Sequence, residues 1–251
     1  MDSNILKLKK LRSKIKKKFS IGTWLQIPNG SVAEILGDSG FDWVGIDMEH
    51  GSISVEILPD LCRAIELGGS LPFVRVFNSK VGENARLLDA GVAGLIFPKI
   101  ETASKLKELI EDSLFPKLGR RGIGFSRANS FGKNLNKNIK LFRPFIVAMI
   151  ETEKGIENLD KILDVKYLDA LFIGPYDLSA SLGIAGKFNH PKFKKNINEI
   201  LKKAKNKNIS CGIHIVKPDS YLLKQHLKNG FKFIAYGMDT TFLSEGSKIF
   251  K

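Results

Sequence analysis

Three observations predict a single (β/α)8 TIM barrel: eight short β-like apolar runs, an amphipathic stretch after each, and a length of 251 residues. The strand candidates are Ile21–Gln26, Trp43–Asp47, Phe73–Val76, Gly94–Pro98, Phe145–Glu151, Ala170–Ile173, Cys211–Val216 and Phe231–Tyr236. Several are apolar almost throughout, as parallel strands covered on both faces are. The helical stretches lie at Ser31–Ser39, Val55–Leu67, Gly82–Ala90, Ser104–Asp112, Lys154–Leu163, Phe193–Asn206, Pro218–Lys228 and Thr240–Ile249. Eight such units in this length favour a closed barrel over an open doubly wound sheet. No Pro/Gly/Ser linker divides the chain, so residues 1–251 read as one domain, with a basic N-terminal helix over 1–19. The segment Phe115–Arg143, rich in Gly, Arg and Asn, reads as a long loop after the fourth strand, where compact domains usually place function.

Composition excludes several classes. Hydrophobic residues make up 43% and charged residues 26%, ordinary globular usage. No apolar run approaches the roughly 18 residues that cross a bilayer, so no membrane partner is expected. Lys7 to Lys18 is basic, but no apolar signal-peptide core follows it. Cys62 and Cys211 are too few for a disulfide framework and lack metal-ligand spacing, which suits reduced cysteines in a cytoplasmic protein. The net charge of +14 raises the question of nucleic acid. The excess sits in two blocks, the first twenty residues with eight Lys/Arg and one Asp, and Lys187 to Lys207 with eight Lys and one Glu. Both interleave Lys with aliphatics at helical spacing, and neither carries stacking platforms for bases, so solvated helix faces explain them and no nucleic acid is expected. No GxGxxG or GxxxxGK[ST] motif supports a nucleotide site.

Barrels place reactive groups at the carboxyl ends of strands. The second strand ends in Asp47-Met48-Glu49-His50, the third carries Arg75, the fifth ends in Glu151, and the sixth runs into Gly174-Pro175-Tyr176-Asp177. Glu151 and Asp177, at adjacent strand ends, can converge on one site, and two carboxylates with water completing the shell suit Mg2+ or Mn2+. Ordinary loop carboxylates are the alternative. His50, three residues after Asp47, makes an Asp–His pair whose carboxylate would set the imidazole tautomer. Arg75 is placed to hold a carboxylate or oppose charge on an enolate oxygen. The Gly174-Pro175 turn would present the amides of Tyr176 and Asp177 to a substrate carboxylate. Together these parts describe enolate chemistry beside a polarised ketone.

The same residues resemble the HpcH/HpaI aldolase family of class II pyruvate aldolases, among them hydroxy-ketoheptanedioate and ketodeoxyglucarate aldolases. The resemblance runs from Gly22-Thr23-Trp24-Leu25 to Gly237-Met238-Asp239-Thr240-Thr241. It rests on Gly40-Phe41-Asp42-Trp43, Ile46 to Gly51, Arg120-Arg121-Gly122-Ile123-Gly124, Ile150-Glu151-Thr152 and Phe172 to Ser179. It implies a lyase that cleaves a 4-hydroxy-2-oxo acid reversibly into pyruvate and an aldehyde, with a divalent metal (Mg2+, Mn2+ or Co2+) held by Glu151 and Asp177. It also implies His50, oriented by Asp47, as the proton relay, Arg75 on the enolate oxygen, and Glu49 near metal-bound water. Asp89 would reach a neighbouring subunit's site in a homo-hexamer, a trimer of dimers, with the helix Thr240–Ile249 swapped across an interface.

Departures from the family pattern carry their own expectations. Met149 stands where many members have Gln two residues before the metal Glu. His214 stands where relatives often have an aliphatic residue shaping the aldehyde pocket, so it either favours a hydroxylated or charged aldehyde or simply bonds a backbone carbonyl. Pro98-Lys99 resembles the Pro-Lys of the citrate-lyase β group, whose substrates are CoA thioesters, although metal acids make a lysine imine redundant. Arg120, Arg121 and Arg127 either bind a second substrate anion or are solvated. The rival readings are a lyase of malyl- or citramalyl-type CoA thioesters and a non-catalytic binding descendant.

Overall fold

The computed structural model describes residues 2–249, so residue 1 and residues 250–251 of the expected domain lie outside the described residues. Eight parallel strands close on themselves in chain order. They are β1 (Ser20–Leu25), β2 (Trp43–Asp47), β3 (Leu71–Arg75), β4 (Gly94–Phe97), β5 (Phe145–Ile150), β6 (Ala170–Ile173), β7 (Ser210–Ile215) and β8 (Phe233–Met238). The expected barrel is present, with β2 and β6 at their expected bounds and the other strands shifted by one or two residues. Helices follow the expected positions to within two residues, except that the last, expected over Thr240–Ile249, ends at Gly246; two others differ in form. Lys154–Leu163 is two short helices, Glu153–Glu157 and Leu159–Leu163, and Val55–Leu67 opens with a 3-10 turn before Leu58–Gly68. The long segment after β4 is not wholly irregular, because it contains a 3-10 turn at Arg127–Asn129 and a helix at Leu135–Leu141.

The inward side chains explain how so narrow a barrel is filled. Trp24, Trp43, Phe73, Phe145, Phe172 and Phe233 form its interior, with Trp43 stacked on Phe233 at 4.6 Å between ring centroids. Rings of that size fit only because facing positions are glycine. A Cβ on Gly22 would stand 2.1 Å from Trp43, and one on Gly45 would stand 2.7 Å from Trp24. A second apolar layer, from Leu25 and Val44 around to Ile213 and Ile234, faces the outer helices. This double burial is why the strands read as continuous apolar runs.

The basic helix Asp2–Lys17 is part of this core rather than an appendage. Leu8, Leu11 and Ile15 are buried against the aromatic interior, each contributing about 2 kcal/mol by area. Its Arg12 donates to Asp169 at 2.9 Å and lies over the Phe145 ring. Most of its lysines stay exposed. The predicted amphipathic pattern is therefore a plug for the floor of the barrel. Cys62 and Cys211 are free and buried, and burial pushes both thiols up to about 12. Among the described residues, no helix is long and apolar enough to cross a membrane.

Candidate active site

β2 and β3 deliver the central ion pair. Asp47 and Arg75 are register partners on neighbouring strands, so their side chains project together at the barrel mouth. Arg75 donates through Nε and Nη2 to the two Asp47 oxygens at 2.9 and 2.7 Å. Gln26 donates to the same carboxylate at 2.9 Å, as do the backbone amides of Glu49 and His50 at 3.1 and 3.2 Å. Burial opposes the Asp47 charge, but the Arg75 hydrogen bonds and charge outweigh it and hold its pKa below the usual carboxylate value. Burial likewise opposes the Arg75 charge and is overcome by Asp47, with Glu49 and Glu151 adding to it. The guanidinium lies over the Trp24 ring, 4.8 Å from its centroid.

This corrects the expected Asp47–His50 pair. Asp47 touches only the His50 backbone, because its carboxylate is fully used by Arg75, Gln26 and two amides. The His50 ring is exposed, and its Nε2 lies 3.9 Å from Glu49 Oε2. Glu49 also stands 3.4 Å from Arg75 Nη1. Burial raises the Glu49 pKa, while Arg75 and His50 restrain it. The group beside the imidazole is therefore Glu49.

Glu151 follows β5 and is 2% exposed. Its Oε1 accepts the Lys99 amide at 2.7 Å, which Lys99 presents from a left-handed backbone conformation (φ 50°). Strain of this kind at a non-glycine residue commonly marks a functional site. Burial pushes the Glu151 carboxyl up to about 7; the Lys99 amide opposes this, and the nearby charges of Glu49 and Asp177 add to it. Gly174 leaves room for the other oxygen, since a Cβ there would stand 2.4 Å from Glu151 Oε2. Asp177 is exposed in the first turn of the helix Pro175–Ser181. The first helical turn leaves the amides of Tyr176 and Asp177 without intrahelical acceptors. Tyr176 itself is exposed and packs edge-on against Phe188 at 5.0 Å.

His50, Arg75 and Gly174 to Asp177 line a cavity of about 230 Å³ together with Trp24, Gln26, Met149, Phe172 and His214, while Glu151, Asp47 and Glu49 lie outside its lining. The apolar Met149 side chain, at the position where many family members have Gln, belongs to that wall. His214 donates to the Gly237 carbonyl, with Nε2 3.3 Å from the oxygen. The sequence alternative of a backbone-bonded histidine is therefore realised inside the cavity.

Other expected residues lie elsewhere. Asp89 accepts from Arg121 at 2.6 Å and from Ser126 at 3.3 Å, which ties the long segment to the helix Asn84–Asp89 within the same chain. Arg127 pairs with Glu66 at 2.5 Å, and Arg120 sits near Glu111 at 3.8 Å. None of these arginines lines the cavity. They are neither a second anion site there nor solvated loop side chains alone; they pin the loop. The helix Asp239–Gly246 is tied to its own barrel at its start, where Asp239 accepts the Gln26 and Ile27 amides at 2.8 and 2.7 Å. A cavity of about 630 Å³ lined by Lys16, Lys202, Lys205, Lys228 and Lys232 lies away from these carboxylates. Lys205 and Lys228 stand in the last turns of two helices, where cations complement the helix dipole.

Sequence reasoning missed Gln26 and the Lys99 amide. Gln26 follows the last residue of β1, so the strand-end rule that selected the other residues also reaches it. The Lys99 conformation has no sequence signal.

The sequence profile of the HpcH/HpaI aldolase/citrate lyase family matches residues 20–245. The chain belongs to this family. It is similar to the hydroxypyruvate/pyruvate aldolase of Roseobacter denitrificans, 35% identical over 233 residues that span 90% of this chain and 89% of the relative. It is also similar to the 2-keto-3-deoxy-L-rhamnonate aldolase of Escherichia coli, 32% identical over 90% of this chain and 85% of that one. Among solved structures, a family member from Burkholderia cenocepacia J2315 superposes with a TM-score of 0.89 at 29% identity, covering 95% of this chain and 96% of the other.

Proposed function

We propose that this HpcH/HpaI family member is a class II pyruvate aldolase that cleaves a 4-hydroxy-2-oxo acid to pyruvate and an aldehyde, and runs the reverse condensation. The observation that carries the reading is the Arg75 guanidinium, locked by Asp47, in the wall of the cavity that Asp177 also lines, with the buried Glu151 carboxyl close enough to feel the charge of both. Glu151 and Asp177 fit a divalent cation (Mg2+, Mn2+ or Co2+). Glu151 is buried beside two further carboxylates with one amide on it, and Gly174 keeps the space at its second oxygen clear. Among the described residues no group of three or more His, Cys, Asp or Glu side chains is arranged to hold a metal ion by itself, so two carboxylates would leave the remaining positions to substrate and water. When bound, such an ion polarises the 2-oxo group as a Lewis acid.

The chain's own residues account for the rest. The amides of Tyr176 and Asp177 hold the substrate carboxylate. Arg75, fixed in place before substrate arrives, opposes negative charge on the enolate oxygen, a preorganised interaction that contributes several kcal/mol in such sites. His50 Nε2 takes the proton of the C4 hydroxyl as the C3–C4 bond breaks. The bonding pair passes into the enolate of pyruvate, the aldehyde carbonyl forms, and C3 of the enolate is then protonated. Glu49, beside the imidazole, is the orienting carboxylate, and Asp47 acts on Arg75. A cavity of about 230 Å³ has room for a short oxo acid. The test is exchange of the pyruvate methyl protons with D2O, followed by NMR. Exchange that requires the divalent ion is expected. No exchange with Mg2+, Mn2+ or Co2+ present rejects the aldolase reading.

A further inference from the structure

His214 sits on β7, in register with Ala235 of β8, and its ring forms part of the cavity wall. Trp24 lies between it and the catalytic cation: the Arg75 guanidinium covers the Trp24 ring at 4.8 Å, and His214 meets that ring edge-on at 6.0 Å. Burial pulls the His214 pKa down to about 4; the Gly237 carbonyl opposes this, Arg75 adds to it, and Asp47 weakly opposes it. The ring is neutral at pH 7. A carbonyl oxygen offers only lone pairs, so Nε2, 3.3 Å from the Gly237 oxygen, carries the ring proton. The tautomer follows, and Nδ1 is an obligatory acceptor.

We propose that His214 is a specificity-determining residue whose Nδ1 accepts a hydrogen bond from a hydroxyl on the aldehyde half of the substrate, so that the site selects hydroxylated, uncharged aldehydes. This rests on the aldolase reading and names the class of its second product. The surrounding wall is apolar, with Trp24, Phe172, Val216 and Met238. An alkyl chain there leaves the imidazole acceptor unpaired, and a carboxylate brings lone pairs against a lone pair. Among the described residues Arg75 is the one Arg or Lys in that wall, and the enolate oxygen takes it, so a terminal carboxylate finds no second cation. Sites built to bond a hydroxyl discriminate strongly against the analogue that lacks it, because the buried polar group is then unsatisfied.

The test compares kcat/KM for condensation of pyruvate with glycolaldehyde, with propionaldehyde (its isostere, methyl for hydroxyl) and with glyoxylate. Wild type, His214→Leu and His214→Gln are measured with the divalent ion present. Wild type is expected to favour glycolaldehyde over both others by at least about tenfold. His214→Leu should bring the glycolaldehyde-to-propionaldehyde ratio near one. His214→Gln should restore most of it, since its amide N–H can serve Gly237 while its oxygen accepts. A purely structural role for His214 would lower both rates and leave their ratio alone. A wild-type enzyme that prefers propionaldehyde or glyoxylate overturns the proposal, as does an unmoved ratio in His214→Leu. If His214→Leu does not fold, the wild-type ratio and the Gln variant still decide. Methyl-proton exchange of pyruvate by wild type separates the two levels. Exchange without hydroxyl discrimination rejects the His214 assignment alone, and absence of exchange rejects the aldolase reading with it.

Discussion

Changing Asp47 to Asn keeps the shape of a fully buried side chain and removes its charge. Five donors converge on that carboxylate: two from Arg75, one from Gln26, and the amides of Glu49 and His50. An asparagine oxygen can satisfy one side, but its NH2 must then face donors of Arg75 and Gln26 or the two backbone amides. Removing one partner of a buried ion pair typically costs about 3–5 kcal/mol. Glu49, 3.4 Å from Arg75 Nη1, compensates part of this, so a loss of roughly 3 kcal/mol is expected. For a chain of this size that corresponds to a Tm lower by roughly 6–12 °C. The pH dependence has a definite sign. Asp47 is held below its ordinary value of 3.8, so its contribution is fully present above that value and is lost as pH falls through the folded pKa. Urea unfolding at pH 7 should therefore show the full gap between wild type and variant, and the gap should close only below about pH 4. A double-mutant cycle adds the decisive comparison: Asp47→Asn should couple strongly to Arg75→Met and be additive with His50→Ala. A variant within about 0.5 kcal/mol of wild type at pH 7, or coupling to His50 instead of Arg75, would refute the geometry described here.

Two further outcomes follow from the same structure. Divalent ions near a hundred times their Kd should raise Tm by roughly 5–10 °C, and EDTA or Glu151→Gln should abolish the shift; a shift unaffected by Glu151→Gln would remove that residue from the ligand set. Gly22→Ala forces a Cβ to within 2.1 Å of Trp43 in the barrel interior, so calorimetry should show a loss of about 1–3 kcal/mol, and an unperturbed Tm would contradict the packing.

The strand order and most of the cavity wall were legible in the chain because barrel burial is repetitive. Each strand is covered inside and out, so its apolar run stands out from the polar loops. The carboxyl end of each run then points at one mouth. Asp47, Arg75, Glu151 and the Gly174 to Asp177 turn were all reached by that rule alone. The basic block at the start of the chain was legible as a helix, whereas its role as the floor of the barrel depends on which residues Leu8, Leu11 and Ile15 meet.

Side-chain partnership is the part that spacing misjudged. His50 lies three positions after Asp47, but strand register sets Asp47 beside Arg75, twenty-eight positions along, and a guanidinium with two parallel donors outcompetes an imidazole for a planar carboxylate. The Asp89–Arg121 and Glu66–Arg127 pairs were hidden for the same reason, since opposite charges distant in sequence meet only when the loop folds back. Local pattern thus records which faces are buried, because burial repeats with the period of the element. Who bonds whom at the mouth of the barrel is settled by closure of the sheet, which brings together groups that no short window of sequence contains.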